Sequence, residues 1–155
     1  QFSEWAHDRS VDWHLLGGEP YHIQLMSFIA ELNRLYAAVA PLHVHDVGLA
    51  GFEWVDADDN ENSVFSFLRK GSTPGDVVLC LFNCTPVPRH DYRVGIPLGG
   101  RWRELLNSDA AAFGGSGMGN LGGVTADRFG IHGRPASLRL TLPPLAAVYL
   151  TPDRG

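Results

Sequence analysis

The residues best suited to chemistry are flat: Trp5, Trp13, Trp54 and Trp102. An indole offers an apolar face on which the C–H side of a sugar ring can stack, while nearby carboxylates and guanidinium groups bind its hydroxyls. Carbohydrate binding is therefore one reading of these positions, and packing in a core or interface is the other. No single one of these positions decides between the two readings. In Phe52-Glu53-Trp54-Val55-Asp56, a period of two puts Phe52 and Trp54 on one face and Glu53 and Val55 on the other, so neither face is purely polar. Trp102, in Gly99-Gly100-Arg101-Trp102-Arg103, opens a strand and is expected to pack beneath a glycine-rich loop.

Other reactive groupings point to structure. The run Asp56-Ala57-Asp58-Asp59-Asn60-Glu61 begins like a calcium loop, but Glu61 stands where glycine is needed and Phe67 where a bidentate Glu is needed. A solvated hairpin tip is expected there. The loop Gly114-Gly115-Ser116-Gly117-Met118-Gly119-Asn120 has no Lys-Ser or Lys-Thr after it and opens no helix, so it is read as a surface loop and not a phosphate cradle. His43, His45 and Asp46 lack further ligands at metal-site spacing and imply no metal. Cys80 and Cys84 lie in one strand-like run, which holds their Cα atoms about 13 Å apart, beyond the roughly 7 Å a disulfide can bridge. Both are expected to be reduced, which suits the cytosol, and Cys84, alternating with Phe82, is expected to be buried and inert.

The elements that position these residues follow from composition and period. The 155 residues are 45% apolar and 19% charged, enough for one ordinary globular domain, and 18 Gly with 10 Pro favour short strands and turns. A net charge of -5 with no basic run gives no footprint for nucleic acid or anionic lipid. No apolar stretch approaches the roughly 20 residues needed to span a bilayer, and with no charged n-region and apolar h-region at the start of the sequence, targeting for secretion is not expected.

Over 20–40, Ile23, Met26, Ile29, Leu32, Leu35 or Tyr36, and Val39 recur at spacings of three and four. This predicts an amphipathic helix started by Pro20, stopped by Pro41, and in need of a large partner surface. Seven strands are expected at 52–56, 63–70, 77–83, 91–96, 101–106, 137–142 and 146–151, which suggests a Greek-key-like β-sandwich. Ser137-Leu138-Arg139-Leu140-Thr141-Leu142 alternates most cleanly and predicts a half-buried strand.

The opening Gln1-Phe2-Ser3-Glu4-Trp5-Ala6-His7-Asp8-Arg9-Ser10-Val11-Asp12-Trp13-His14 resembles the segment after the eighth barrel strand of bacterial 1,4-α-glucan (glycogen) branching enzymes of the α-amylase superfamily. The resemblance continues through Gly51-Phe52-Glu53-Trp54, Asn83-Cys84-Thr85-Pro86-Val87-Pro88-Arg89-His90-Asp91-Tyr92-Arg93, Gly100-Arg101-Trp102-Arg103-Glu104 and His132-Gly133-Arg134. It ends in Ser137-Leu138-Arg139-Leu140-Thr141-Leu142-Pro143-Pro144-Leu145 and so covers the whole chain, with Cys84 standing where Phe is expected.

The resemblance implies a mainly β chain: a C-terminal sandwich over 46–155, preceded over 1–45 by the final loop and helix of a catalytic (β/α)8 barrel. With no initiator Met, the chain is expected to be a C-terminal fragment whose missing barrel is the helix's partner. Such enzymes act by retaining double displacement, using carboxylates from upstream barrel strands. No catalytic residue carries over to this sequence, and no cofactor is implied. The loop after strand eight opens at the active-site end of a barrel, so Glu4, Trp5, Asp8 and Arg9 are expected to line the cleft, with Trp54 as a further contact for α-glucan, whether glycogen or amylose-like chains. The rival readings are a freestanding carbohydrate-binding module, a purely structural sandwich, and the C-terminal domain of another amylase-superfamily enzyme such as a trehalose-releasing hydrolase.

Overall fold

A computed structural model describes residues 7–153 of the chain; Glu4 and Trp5 lie outside the described residues. After a 3₁₀ turn at Trp13–Gly17, helix α1 spans Pro20–Ala38. Pro20 sits in its first turn, where a missing N–H costs nothing, and Val39 leaves the helix in an extended conformation before a second 3₁₀ turn, Ala40–Leu42. Among the described residues, no helix is long and apolar enough to cross a membrane.

Eight strands follow: β1 Phe52–Asp59, β2 Val64–Lys70, β3 Val77–Asn83, β4 Arg89–Ile96, β5 Arg101–Asn107, β6 Gly123–Thr125, β7 Ala136–Leu142 and β8 Ala147–Pro152. They form a six-stranded sheet in the order β1-β2-β3-β8-β5-β6 and a two-stranded sheet of β4 and β7, with antiparallel pairing throughout. The strand absent from the sequence reading is β6, three residues at the end of the glycine-rich loop that pair with the start of β5.

The core lies between the sheets, and the period of two builds it. Val64 and Leu68 of β2, Leu79 and Leu81 of β3, and Val148 and Leu150 of β8 meet Val94 and Ile96 of β4 and Leu138, Leu140 and Leu142 of β7. Trp102 joins them with no exposed surface, its indole N–H donating to the Leu98 carbonyl at 3.1 Å. It thus belongs to the core between the sheets. Arg139 and Thr141 point away, as the alternation predicts.

Two expectations need correction. β3 ends at Asn83, so Cys84 falls on the following turn and is exposed, while Cys80 is the buried thiol. The apolar stripe of α1 is also not a single surface awaiting an absent partner. Leu35 is buried, and Phe28 meets Phe113 edge-on at 5.3 Å, so this side of the helix rests on its own chain. Ile23, Met26 and Ile29, on the opposite side, stay 46–48% exposed.

The segment joining α1 to β1 is tied down by Arg69 of β2. Its guanidinium donates to the carbonyls of Leu42 at 3.2 Å and His45 at 3.4 Å, and pairs with Asp46 at 3.1 Å. Tyr36 also donates to Asp46, at 3.2 Å, and Ser72 lies 3.4 Å from the His45 ring, so His45 and Asp46 serve as a latch. Gly51 closes this turn: a Cβ there would collide with the His45 carbonyl oxygen, so only glycine fits.

Candidate functional site

The alternation that sends Val64 and Leu68 into the core sends Phe65 and Phe67 to the opposite face of the large sheet. Phe52 and Trp54 of β1, Phe82 of β3 and Tyr149 of β8 join them there, forming a continuous aromatic surface. Register produces this: Trp54 lies opposite Phe67, and Phe65 opposite Phe82. The Phe65 and Phe82 rings stack at 5.0 Å with 13° between planes. Trp54 stands edge-on to Phe52 at 5.0 Å and to Phe67 at 5.7 Å. The other rings are half-buried, whereas Trp54 is 52% exposed.

One flank of this surface meets α1. Leu32, Tyr36 and Leu42 face Phe67, Cys80 and Tyr149 across a groove of about 350 Å³. Burial pushes the Cys80 thiol up to about 12, and burial together with the neighbouring Cys80 pushes the Tyr149 hydroxyl up to about 12. Both groups are neutral at physiological pH, so they add no charge to the aromatic face.

The carboxylates around Trp54 already have partners. Glu53 points off the aromatic face and pairs with Lys70 at 3.1 Å and with Arg134. Burial raises its pKa, but the hydrogen bonds and charges of Lys70 and Arg134 outweigh this and hold it below the usual carboxylate range. Asp56 lies 3.5 Å from His132 and accepts the Asp58 N–H at 3.0 Å. Asp59 accepts from the Tyr92 hydroxyl at 2.9 Å and from Asn62, which offset its burial and keep its pKa low. The acidic hairpin tip is therefore an ordered turn, anchored through Tyr92 to the second sheet. Trp54 offers a stacking face without a ring of free carboxylates.

Asp8 and Arg9 are exposed and precede the first 3₁₀ turn, and Trp13 within that turn is 64% exposed. They sit on elements separate from the aromatic face. The glycine-rich loop is held by side chains that precede it: Asn107 at the end of β5 donates to the Met118 carbonyl at 2.7 Å, and Asp109 accepts the Ser116 N–H at 3.0 Å. Sequence reasoning missed the breadth of the aromatic face, although Phe65 and Phe67 alternating with Val64, Ser66 and Leu68 is a legible sign of a strand buried on both sides.

Residues 54–153 match the family model described as the alpha amylase C-terminal all-beta domain. The chain is 58% identical over 153 residues to a protein of Cereibacter sphaeroides named 1,4-alpha-glucan branching enzyme GlgB, covering 98% of this chain and 21% of the relative. The protein of the same name from Aquifex aeolicus is 53% identical over 150 residues, covering 97% of this chain and 24% of the relative. The one from Cupriavidus necator is 49% identical over 156 residues, covering all of this chain and 20% of the relative. The chain thus spans between a fifth and a quarter of the length of these curated relatives. The family match takes in all the strands from β2 to β8, the two sheets they form and most of β1, and on this ground the chain belongs to the alpha amylase C-terminal all-beta domain family.

Proposed function

We propose that this chain is the C-terminal part of a 1,4-α-glucan branching enzyme, which cleaves an α-1,4-glucan and transfers the chain to a 6-hydroxyl. The observation that carries this reading is identity of 58% sustained over 98% of the chain with a relative of that name. In this reading residues 1–45 close a catalytic barrel, and residues 46–155 are the sandwich that supports it. The exposed Ile23, Met26 and Ile29 support this division, because they leave α1 one apolar side for the barrel after Leu35 has been buried on the sandwich. Glu4, Trp5, Asp8 and Arg9 then line the glucan cleft. The enzyme works in the cytoplasm, a reading supported by free thiols at Cys80 and Cys84.

The chain by itself is expected to form no α-1,6 linkages on amylose, while the enzyme carrying the upstream barrel forms them; proton NMR of the product distinguishes the two linkages. Branching by the 155-residue chain alone would overturn the division of labour, and a barrel-bearing enzyme that released trehalose instead would overturn the proposed activity.

Trp54 is the proposed glucan contact of the sandwich. Trp54→Ala is expected to weaken glycogen affinity by about 1–3 kcal/mol, measured by affinity electrophoresis, while costing less than about 1.5 kcal/mol of stability, because half of the ring is already in water. A stability loss of about 3 kcal/mol with unchanged affinity would assign Trp54 to packing alone.

A further inference from the structure

Among the described residues of the sandwich, two aromatic side chains are at least half exposed: Trp54 at 52% and Phe129 at 55%. Phe129 lies on the loop between β6 and β7, over the outward face of the two-stranded sheet, where Arg93, Ser137 and Arg139 turn away from the core. Its ring rests on the Arg93 guanidinium, whose central carbon is 4.7 Å from the ring centroid. One face of the ring is thus covered by the cation, so its exposure comes from the opposite face and the rim.

This perch is rigid. Arg93 donates to Asp127 at 3.1 Å and to the Ser137 hydroxyl at 2.7 Å. Asp127 and Ser137 exchange both backbone hydrogen bonds, at 2.8 and 3.1 Å, and Arg139 donates to the same Asp127 oxygen at 3.2 Å. Farther along the loop, His132 accepts the Gly95 N–H at 3.3 Å and Arg134 pairs with Glu53. Little conformational entropy remains to be lost when a ligand meets the ring. In the same sheet, the Arg139 guanidinium, 56% exposed and held at its Nε by Asp127, and the Asp91 carboxylate, 85% exposed, stand 4.0 Å apart and supply terminal N–H donors and an acceptor for hydroxyls.

We propose that Phe129, braced by Arg93, with Arg139 and Asp91 of the same sheet, is a second sugar-stacking platform that binds α-glucan. The proposal rests on the glucan reading of the previous section. The platform lies on the outer face of the small sheet and Trp54 on the outer face of the large one, so the two hold separate stretches of a glucan particle. Each contact is weak, and the particle raises the effective concentration of one platform once the other is engaged. Binding to glycogen therefore exceeds binding to a short oligosaccharide that reaches only one platform.

The test uses the whole chain in native gels containing glycogen, with maltoheptaose titrated in parallel. Phe129→Leu keeps an apolar side chain over Arg93 but removes the flat ring, and it is expected to weaken glycogen retardation by roughly threefold to tenfold. Phe129→Trp is expected to retain or strengthen retardation, and the double variant with Trp54→Ala is expected to lose more than either single change. Far-UV circular dichroism and thermal unfolding check that each variant is folded; were Phe129→Leu unfolded, the Phe129→Trp comparison with the unaltered chain would carry the test. Retardation that is unchanged in Phe129→Leu and weakened in Trp54→Ala overturns this proposal and leaves the glucan reading standing. An unaltered chain that binds neither glycogen nor maltoheptaose overturns both.

Discussion

Trp102→Ala lowers the stability of this chain by about 3–5 kcal/mol, the largest loss expected from any single truncation in its core. The indole has no exposed surface and fills the space between the large sheet and the strands β4 and β7. Removing it deletes the transfer energy of the biggest side chain in the cluster and leaves a cavity, because strands held by ladder hydrogen bonds on both sides cannot collapse to fill it. The Leu98 carbonyl also loses its donor at 3.1 Å. For a chain of this size the melting temperature should fall by roughly 10–20 °C, read by far-UV circular dichroism. Trp102→Phe keeps most of the volume but not the N–H, so its cost should be less than half as large. A fall of under about 5 °C for Trp102→Ala would show that the core repacks around the gap.

Trp102 and Trp54 also show what could be read from sequence. The core was legible wherever a strand has one wet face: Leu138, Leu140 and Leu142 alternate with Arg139 and Thr141, and the structure buries the leucines. β1 was harder, because Phe52 and Trp54 oppose Glu53 and Val55 and neither face is wholly polar. As an edge strand with irregular pairing between Trp54 and Asp59, it turns one side to the aromatic surface and the other to Arg134 and the core. The helix misled for a related reason. Successive steps of three residues wind the apolar positions round α1, and only the fold separates the side holding Phe28 and Leu35 from the side holding Ile23, Met26 and Ile29. β6 carries a glycine and too few residues to show a period. The platform at Phe129 rests on an arginine 36 positions earlier in the chain, a distance no local pattern spans.

Asn83 explains the error at Cys84, and its replacement carries the second-largest expected effect. A strand continuing through Asn83 would have buried Cys84, but the Asn83 side chain ends β3 and organises the turn that follows. Its amide donates to the carbonyls of Val87 at 2.8 Å and Pro143 at 2.9 Å, and its oxygen accepts from the Thr85 N–H at 3.1 Å and the Thr85 hydroxyl at 2.8 Å. The segments it joins contain Pro86, Pro88, Pro143 and Pro144, which have no N–H to offer, so these carbonyls depend on a side-chain donor. Asn83→Leu preserves the volume but removes the donor to the Pro143 carbonyl and the acceptor of the Thr85 N–H in a site that is 2% exposed, while the Val87 carbonyl keeps the Thr85 hydroxyl at 3.2 Å, for an expected loss of about 2–4 kcal/mol in denaturant unfolding. Asn83→Asp separates hydrogen bonding from shape. A carboxylate can still accept from Thr85 but sets negative charge against two carbonyl oxygens, so this variant should be as unstable as Asn83→Leu at neutral pH. If it is instead as stable as the unaltered chain, donation by the amide is not what holds the turn. The damage should also spread to β4, because Arg89 at its start donates to the Asn62 carbonyl at 3.0 Å and lies 3.5 Å from the Thr85 hydroxyl. Slowed hydrogen exchange at the start of β4 in the unaltered chain, and its loss in Asn83→Leu, would place the defect at this turn and not in the core beneath it.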